Sequence, residues 1–157
     1  MKKKFLILTL IFVNFLTLVA QNQHVLLTKE NSIKTKLLLN SIPFKSDTPF
    51  KQFRSIEITH SILNGYELQI GDTITLNLFE DQNYSTIIIK KSTDINGVTT
   101  YVSHFIKYHY SYCFISVSNG KASISIEIPE LNQFYISRYQ KDGKLYLIQI
   151  DEHHKNI

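Results

Sequence analysis

Ala122-Ser123-Ile124-Ser125-Ile126-Glu127-Ile128-Pro129 alternates apolar and polar side chains without a break until proline ends the run. Successive side chains of a strand point to opposite faces, so this stretch has one apolar face and one polar face. It predicts a half-buried strand, closed where Pro129 withdraws an N–H donor from the ladder. Thr73-Ile74-Thr75-Leu76-Asn77-Leu78 repeats the pattern, rich in residues that suit a pleated surface.

Working outward from these two runs, residues 84–91, 98–106, 110–118, 133–139 and 144–150 read as further strands. The separators are Asp81-Gln82-Asn83, Asn96-Gly97, Asn119-Gly120 and Asp142-Gly143. Asn-Gly and Asp-Gly tolerate positive φ and suit tight hairpins. Upstream, Ile56, Ile58 and Ile62 read as one more strand, ending at Asn64-Gly65. No long helical pattern and no glycine-rich strand-to-helix loop for a nucleotide is present. The expected class is all-β: an antiparallel meander forming a β-sandwich or barrel.

The N-terminus has a different character. Lys2, Lys3 and Lys4 precede an apolar run over residues 5–19, followed by Ala20 and Gln21. This is the pattern of a cleaved export peptide, and Asn14 within the run argues against a membrane anchor. The expected organisation is a signal peptide over 1–20, an extended or irregular segment over 21–52 holding Pro43 and Pro49, a β domain over 53–151 and a polar tail over 152–157. Localisation is then extracellular or periplasmic, with no membrane association after cleavage. Of 17 Lys and Arg, three lie in the leader, leaving fourteen against 13 Asp and Glu. That balance, with the basic residues scattered, excludes an electrostatic footprint for nucleic acid. A mature chain of roughly 135 residues is large enough to bury a core without metal or disulfide staples.

Candidate chemistry is sparse. His153-His154 lies in the polar tail and reads as solvated, because a metal site needs three or four fixed ligands. His60, His104 and His109 lack the helical i, i+4 spacing with an intervening glutamate of a zinc protease. Cys113 is the one cysteine and the weak metal candidate; it shares a strand face with Ile115 and Val117, which reads as core. No serine stands in a nucleophile-elbow context. Asn83-Tyr84-Ser85 matches a glycosylation acceptor. The nine tyrosines fall mostly on strands, where a tyrosine-rich face suits sugar or peptide as well as packing. The chain is therefore expected to be no enzyme, with no catalytic residue and no cofactor.

Thr73-Ile74-Thr75-Leu76-Asn77-Leu78-Phe79, Tyr84, Asn96-Gly97, and Tyr110-Ser111-Tyr112-Cys113-Phe114-Ile115-Ser116-Val117-Ser118-Asn119-Gly120-Lys121 form a recognisable series. Together they resemble the propeptide of reprolysin-type (adamalysin-like) zinc metalloproteases. Ile124-Ser125-Ile126 and Tyr135-Ile136-Ser137 continue the likeness, and Lys144-Leu145-Tyr146-Leu147-Ile148-Gln149-Ile150-Asp151 is similar to the close of prodomains in secreted bacterial metalloproteases. The family's second glycine is replaced around Ser123, and neither a cysteine-switch segment nor a His-Glu-x-x-His helix occurs in the chain. The resemblance implies an orphan or truncated prodomain that binds a zinc metalloprotease catalytic domain, keeps it latent or assists its folding. A stand-alone secreted β-sandwich that binds glycan or a surface protein is the alternative.

Overall fold

A computed structural model describes residues 23–25, 27–28, 50–63, 68–80 and 82–151. The leader 1–20, the Pro43 and Pro49 segment, the Asn64-Gly65 turn and the tail with His153-His154 lie outside the described residues. The strands are β1 (Gln23–Val25), β2 (Leu27–Thr28), β3 (Phe50–Ile58), β4 (Thr73–Phe79), β5 (Gln82–Thr93), β6 (Thr99–Phe105), β7 (Tyr112–Ser118), β8 (Lys121–Ile128), β9 (Gln133–Tyr139) and β10 (Leu145–Ile150). A single helical turn, α1 (His60–Leu63), follows β3, and a 3-10 turn, Pro129–Leu131, follows β8.

The class is all-β, as the alternation requires. Strands β4 to β10 form an antiparallel meander, and β3 pairs with β10 at its far side. One curled sheet results rather than the two packed sheets of a sandwich. Its two margins, β3 and β4, approach each other: β1 pairs in parallel with β4 over Thr73 to Thr75, while β2 pairs antiparallel with β3 at Glu57 and Ile58. Arg54 of β3 also donates from Nε to the Leu78 carbonyl and from Nη2 to the Asn77 carbonyl, both on β4. The sheet is thereby curled into a half-barrel whose two margins are bridged.

Register explains the core. Ile126 lies opposite Cys113 and Tyr135, and Ile124 lies opposite Ile115. Ile74, Leu76 and Leu78 of β4, Ile88, Phe105, Ile128 and Leu147 complete the inward set, all essentially inaccessible to solvent. Burying each such side chain contributes about 1.5–3 kcal/mol, so the interior is a filled core. Asn119 (φ 50) and Gly120 (φ 68) make the tight β7–β8 turn, the left-handed pair that a two-residue hairpin requires. The apolar triplet Ile87-Ile88-Ile89 is resolved by a register shift between Ile88 and Lys90: Ile88 is buried, while Ile89 is half exposed.

Two boundaries differ from the sequence expectation. Ile62 belongs to α1 rather than to a strand: β3 ends at Ile58, and a spacing of four places Ile62 one helical turn on, where it is buried in the core. The chain reverses before Gln82, so Gln82 and Asn83 begin β5 instead of forming the turn.

One end of the barrel carries a polar layer. Tyr84 Oη donates to Gln133 Oε1 at 2.9 Å, and Tyr135 Oη lies 2.8 Å from Gln133 Oε1 and 3.1 Å from Gln82 Oε1. A phenol has one proton, so both Tyr135 contacts are satisfied when the Gln82 carboxamide is turned to donate its NH2. Burial raises the pKa of both Tyr84 and Tyr135, which keeps the phenols neutral. Gln52 Nε2 donates to Gln149 Oε1 at 2.8 Å beside them in the inward set.

Candidate functional site

The outward positions of β6, β7 and β8 form the most distinctive surface. Since Cys113, Ile115 and Val117 take the inner face of β7, Tyr112 and Phe114 must take the outer one. Their rings stand side by side, centroids 6.4 Å apart and tilted by 36°. Tyr112 lies opposite His104 and Glu127, and Phe114 lies opposite Val102 and Ser125. Thr100 and Ser116 share a hydroxyl hydrogen bond of 3.0 Å one pair further along.

Loop residues extend this apolar face at the β6–β7 end. Ile106 is 51% exposed, Tyr110 76% and Leu131 39%, next to Tyr112 at 37% and Phe114 at 38%. Isolated exposed apolar residues need no explanation; here several large ones lie on one side of the sheet, with the exposed charged residues Lys107, Glu127 and Glu130 among them. His104 is partly shielded here, and its Nδ1 is buried without a hydrogen-bond partner.

Glu130 fixes the loop that presents these residues. Its Oε2 accepts from Ser111 Oγ at 2.6 Å, and its Oε1 accepts from the Tyr110 backbone N–H at 2.8 Å. The Ser111 bond first, then the Tyr110 N–H, hold the Glu130 carboxyl below its ordinary pKa, with His109 adding a smaller electrostatic contribution. A carboxylate with a depressed folded pKa stabilises above its unfolded pKa, near 4.3, and that contribution is lost as pH falls through the folded value. Glu130→Gln is therefore expected to flatten the acid limb of stability as pH falls below the ordinary carboxylate range. Urea midpoints of the two proteins at several pH values check this; parallel acid limbs would remove Glu130 as the clamp of the loop.

The residues singled out from sequence fall elsewhere. Cys113 is fully buried against Ile126, and Ser103 Oγ donates to its carbonyl at 3.4 Å. Burial pushes its thiol pKa up to about 12, which disfavours the thiolate a metal would need. His109 is an exposed loop residue and His104 faces outward from β6. Among the described residues no three His, Cys, Asp or Glu side chains converge on a metal-sized site. Asn83 is exposed at the start of β5. Tyr84, Tyr101 and Tyr135 are inside, so the tyrosines split between core and surface.

A cleft of about 290 Å3 opens at the opposite end of the barrel, lined by Ser55, Ile56, Glu57, Ile58, Leu63, Tyr139, Gly143, Lys144 and Leu145. It lies at the small end of ligand pockets, and among the described residues its ionisable lining groups are Glu57, Tyr139 and Lys144. Among the described residues no helix is long and apolar enough to cross a membrane. The apolar interior also inverts the pattern of an outer-membrane barrel, whose lumen is polar.

The outer face, then, was half legible: the inward assignment of Cys113 places Tyr112 and Phe114 outside, whereas the loop residues Ile106, Tyr110 and Leu131 carry no sequence signal that distinguishes them. No family model matches the chain, and no curated protein and no solved structure matches it either.

Proposed function

We propose that the chain is an exported, non-catalytic binding module that docks a protein partner on the outer face of β6, β7 and β8. The observation that carries this reading is the pair of adjacent exposed rings Tyr112 and Phe114, with exposed Ile106, Tyr110 and Leu131 at the same end of the sheet, beside an interior filled with its own side chains. Aromatic anchors surrounded by a polar rim dominate binding energy at protein interfaces. Export rests on the leader pattern of residues 1–20.

The partner class to offer first is a zinc metalloprotease catalytic domain, which the resemblance implies. Replacing both Tyr112 and Phe114 by serine on the outer face is expected to weaken partner binding by about 30-fold to 1,000-fold, from roughly 2–4 kcal/mol of lost anchoring. Photo-crosslinking from position 116 in the native secretome identifies the partner, and titration calorimetry of the purified pair measures the loss. A folded double variant that binds its partner as tightly as the parent chain would sink the reading. Loss of protease inhibition together with binding would favour latency; binding that leaves the active site untouched would favour an adaptor.

A second reading, glycan binding, has one specific observation in its favour. The adjacent Tyr112 and Phe114 rings stand among the hydroxyls of Thr100, Ser116 and Ser125, an arrangement suited to stacking a sugar ring while its hydroxyls find partners. Crosslinking to carbohydrate instead of protein would select it.

A further inference from the structure

Arg54 occupies the inner face of β3, in line with Ile56 and Ile58, and its guanidinium reaches across the seam to β4. Successive carbonyls of a regular strand point to opposite sides. The register shift between Asn77 and Phe79 breaks that alternation, so one guanidinium meets both the Leu78 carbonyl, from Nε, and the Asn77 carbonyl, from Nη2. These two bonds, the clasp of the seam, use the edge of the guanidinium that runs from Nε to Nη2. The group carries five N–H donors in a planar fork, so its other edge, from Nη1 to Nη2, keeps two parallel N–H groups. Among the described residues the buried side-chain atoms without a partner are Thr86 Oγ1 and His104 Nδ1; Arg54 Nη1 falls outside that set because solvent reaches it.

The surroundings are polar and rich in donors. Leu147 of β10 lies directly opposite Arg54, and Gln149, two residues further on, is its diagonal neighbour, a distance that long side chains span. Gln52 Nε2 takes the Gln149 carboxamide oxygen at 2.8 Å, which leaves the Gln149 NH2 as a donor. Tyr135 lies opposite Gln149 on β9 and continues the polar row. Arg54 keeps 9% of its surface and Gln149 6%, so both polar groups are largely desolvated. Among the described residues the partners of Arg54 are the two carbonyls and the Phe79 ring, and no carboxylate is one of them. Neutral carbonyls satisfy N–H groups without cancelling the charge, and the pull of a cation on an anion grows as the local dielectric falls.

We propose that Arg54, with Gln52 and Gln149 beside it on the inner face, is a binding site for a carboxylate group. The two oxygens of a carboxylate match the Nη1–Nη2 fork in a bidentate pair, and the Gln149 NH2 supplies a further donor. The fork rewards two acceptors at fixed spacing, which a spherical chloride lacks. A carboxylate arrives either on a small organic acid or at the C-terminus of a peptide, and the recognising chemistry is the same. The site lies on the opposite side of the sheet from Tyr112 and Phe114, so its test stands apart from the protein partner proposed for that outer face.

The experiment uses the full chain from Gln21 onward, with nitrogen-15 in its arginine side chains. Arg54 and Arg138 are the two arginines, and Arg138 is exposed on β9, where it serves as the internal control. Sodium acetate, exchanged for sodium chloride at constant ionic strength, is expected to shift the Arg54 guanidinium NMR signals saturably with a Kd of about 1–10 mM, while Arg138 stays nearly still. Acetamide, the neutral isostere, is expected to shift neither. N-acetyl-dialanine and its C-terminal amide separate the two sources: carboxylate-dependent binding about tenfold tighter than acetate assigns a peptide terminus, and binding equal to or weaker than acetate assigns a small organic acid. Acetate should also raise the urea midpoint of the parent chain by linkage, and not that of Arg54→Lys, which keeps the charge and loses the fork. An Arg54 signal indifferent to acetate, or one that moves together with Arg138 and as much in acetamide, would overturn the site. If Arg54→Lys does not fold, the NMR titration of the parent chain decides alone.

Discussion

Cys113 should be at least about a thousandfold slower to react with a thiol reagent such as DTNB in the native protein than in denaturant, because a buried thiol reacts only through opening and a domain's stability is about 5 kcal/mol or more. Two observations set the expectation. The side chain has no accessible surface and sits between Ser103 and Ile126 of the neighbouring strands. Burial also lifts its pKa to about 12, so the reactive thiolate is scarce near neutral pH even when solvent reaches it. Stopped-flow labelling with and without urea measures the ratio. Rapid native labelling would mean that the β6–β7–β8 region opens readily, and it would restore Cys113 as a metal ligand.

The same prediction bears on the latency hypothesis. A prodomain that silences a zinc enzyme through a thiolate needs that sulfur at its surface. Cys113 would have to leave the centre of the barrel, breaking the β7 ladders on both sides. Any inhibition of a metalloprotease by this chain is thus expected to run through surface contacts, and Cys113→Ser should lower stability by about 1–3 kcal/mol, from a hydroxyl in an apolar site, without selectively abolishing inhibition.

What the sequence conveyed and what it withheld divide along the range of the interactions. Alternation is a local property, so β4 and β8 were legible from their own residues, and Asn119-Gly120 announced its turn through a backbone conformation that few other pairs adopt. Ile62 misled because an isolated isoleucine four residues after Ile58 fits the end of a strand as easily as a turn of helix. Sandwich and barrel could not be separated, since the difference lies in whether β3 and β4 meet, and those strands are joined through contacts between residues far apart in sequence. One clue was present: Arg54 occupies the same face as Ile56 and Ile58, a position where an arginine is out of place unless its charge has a structural use.

Arg54→Ala is expected to destabilise the protein by about 3 kcal/mol or more, since hydrogen bonds to a charged donor contribute roughly 1.5–3 kcal/mol each and the Leu78 carbonyl it leaves is buried. The guanidinium is buried at the seam, with its carbon 5.9 Å from the Phe79 ring centroid, and desolvation lowers its pKa without neutralising it. The cost of burying that charge works against the clasp, so the sign of the net effect needs a control that removes the charge and keeps the stem. Arg54→Met does so: it retains packing against Phe79 and abandons the Asn77 and Leu78 carbonyls. Arg54→Lys keeps the charge, but its single ammonium head cannot reproduce the fork and should recover only part of the loss. Urea unfolding of the three variants ranks them, with the parent chain most stable, then lysine, methionine and alanine. A methionine variant as stable as the parent would show that burial cost cancels the two bonds and that the seam is held by apolar contact alone.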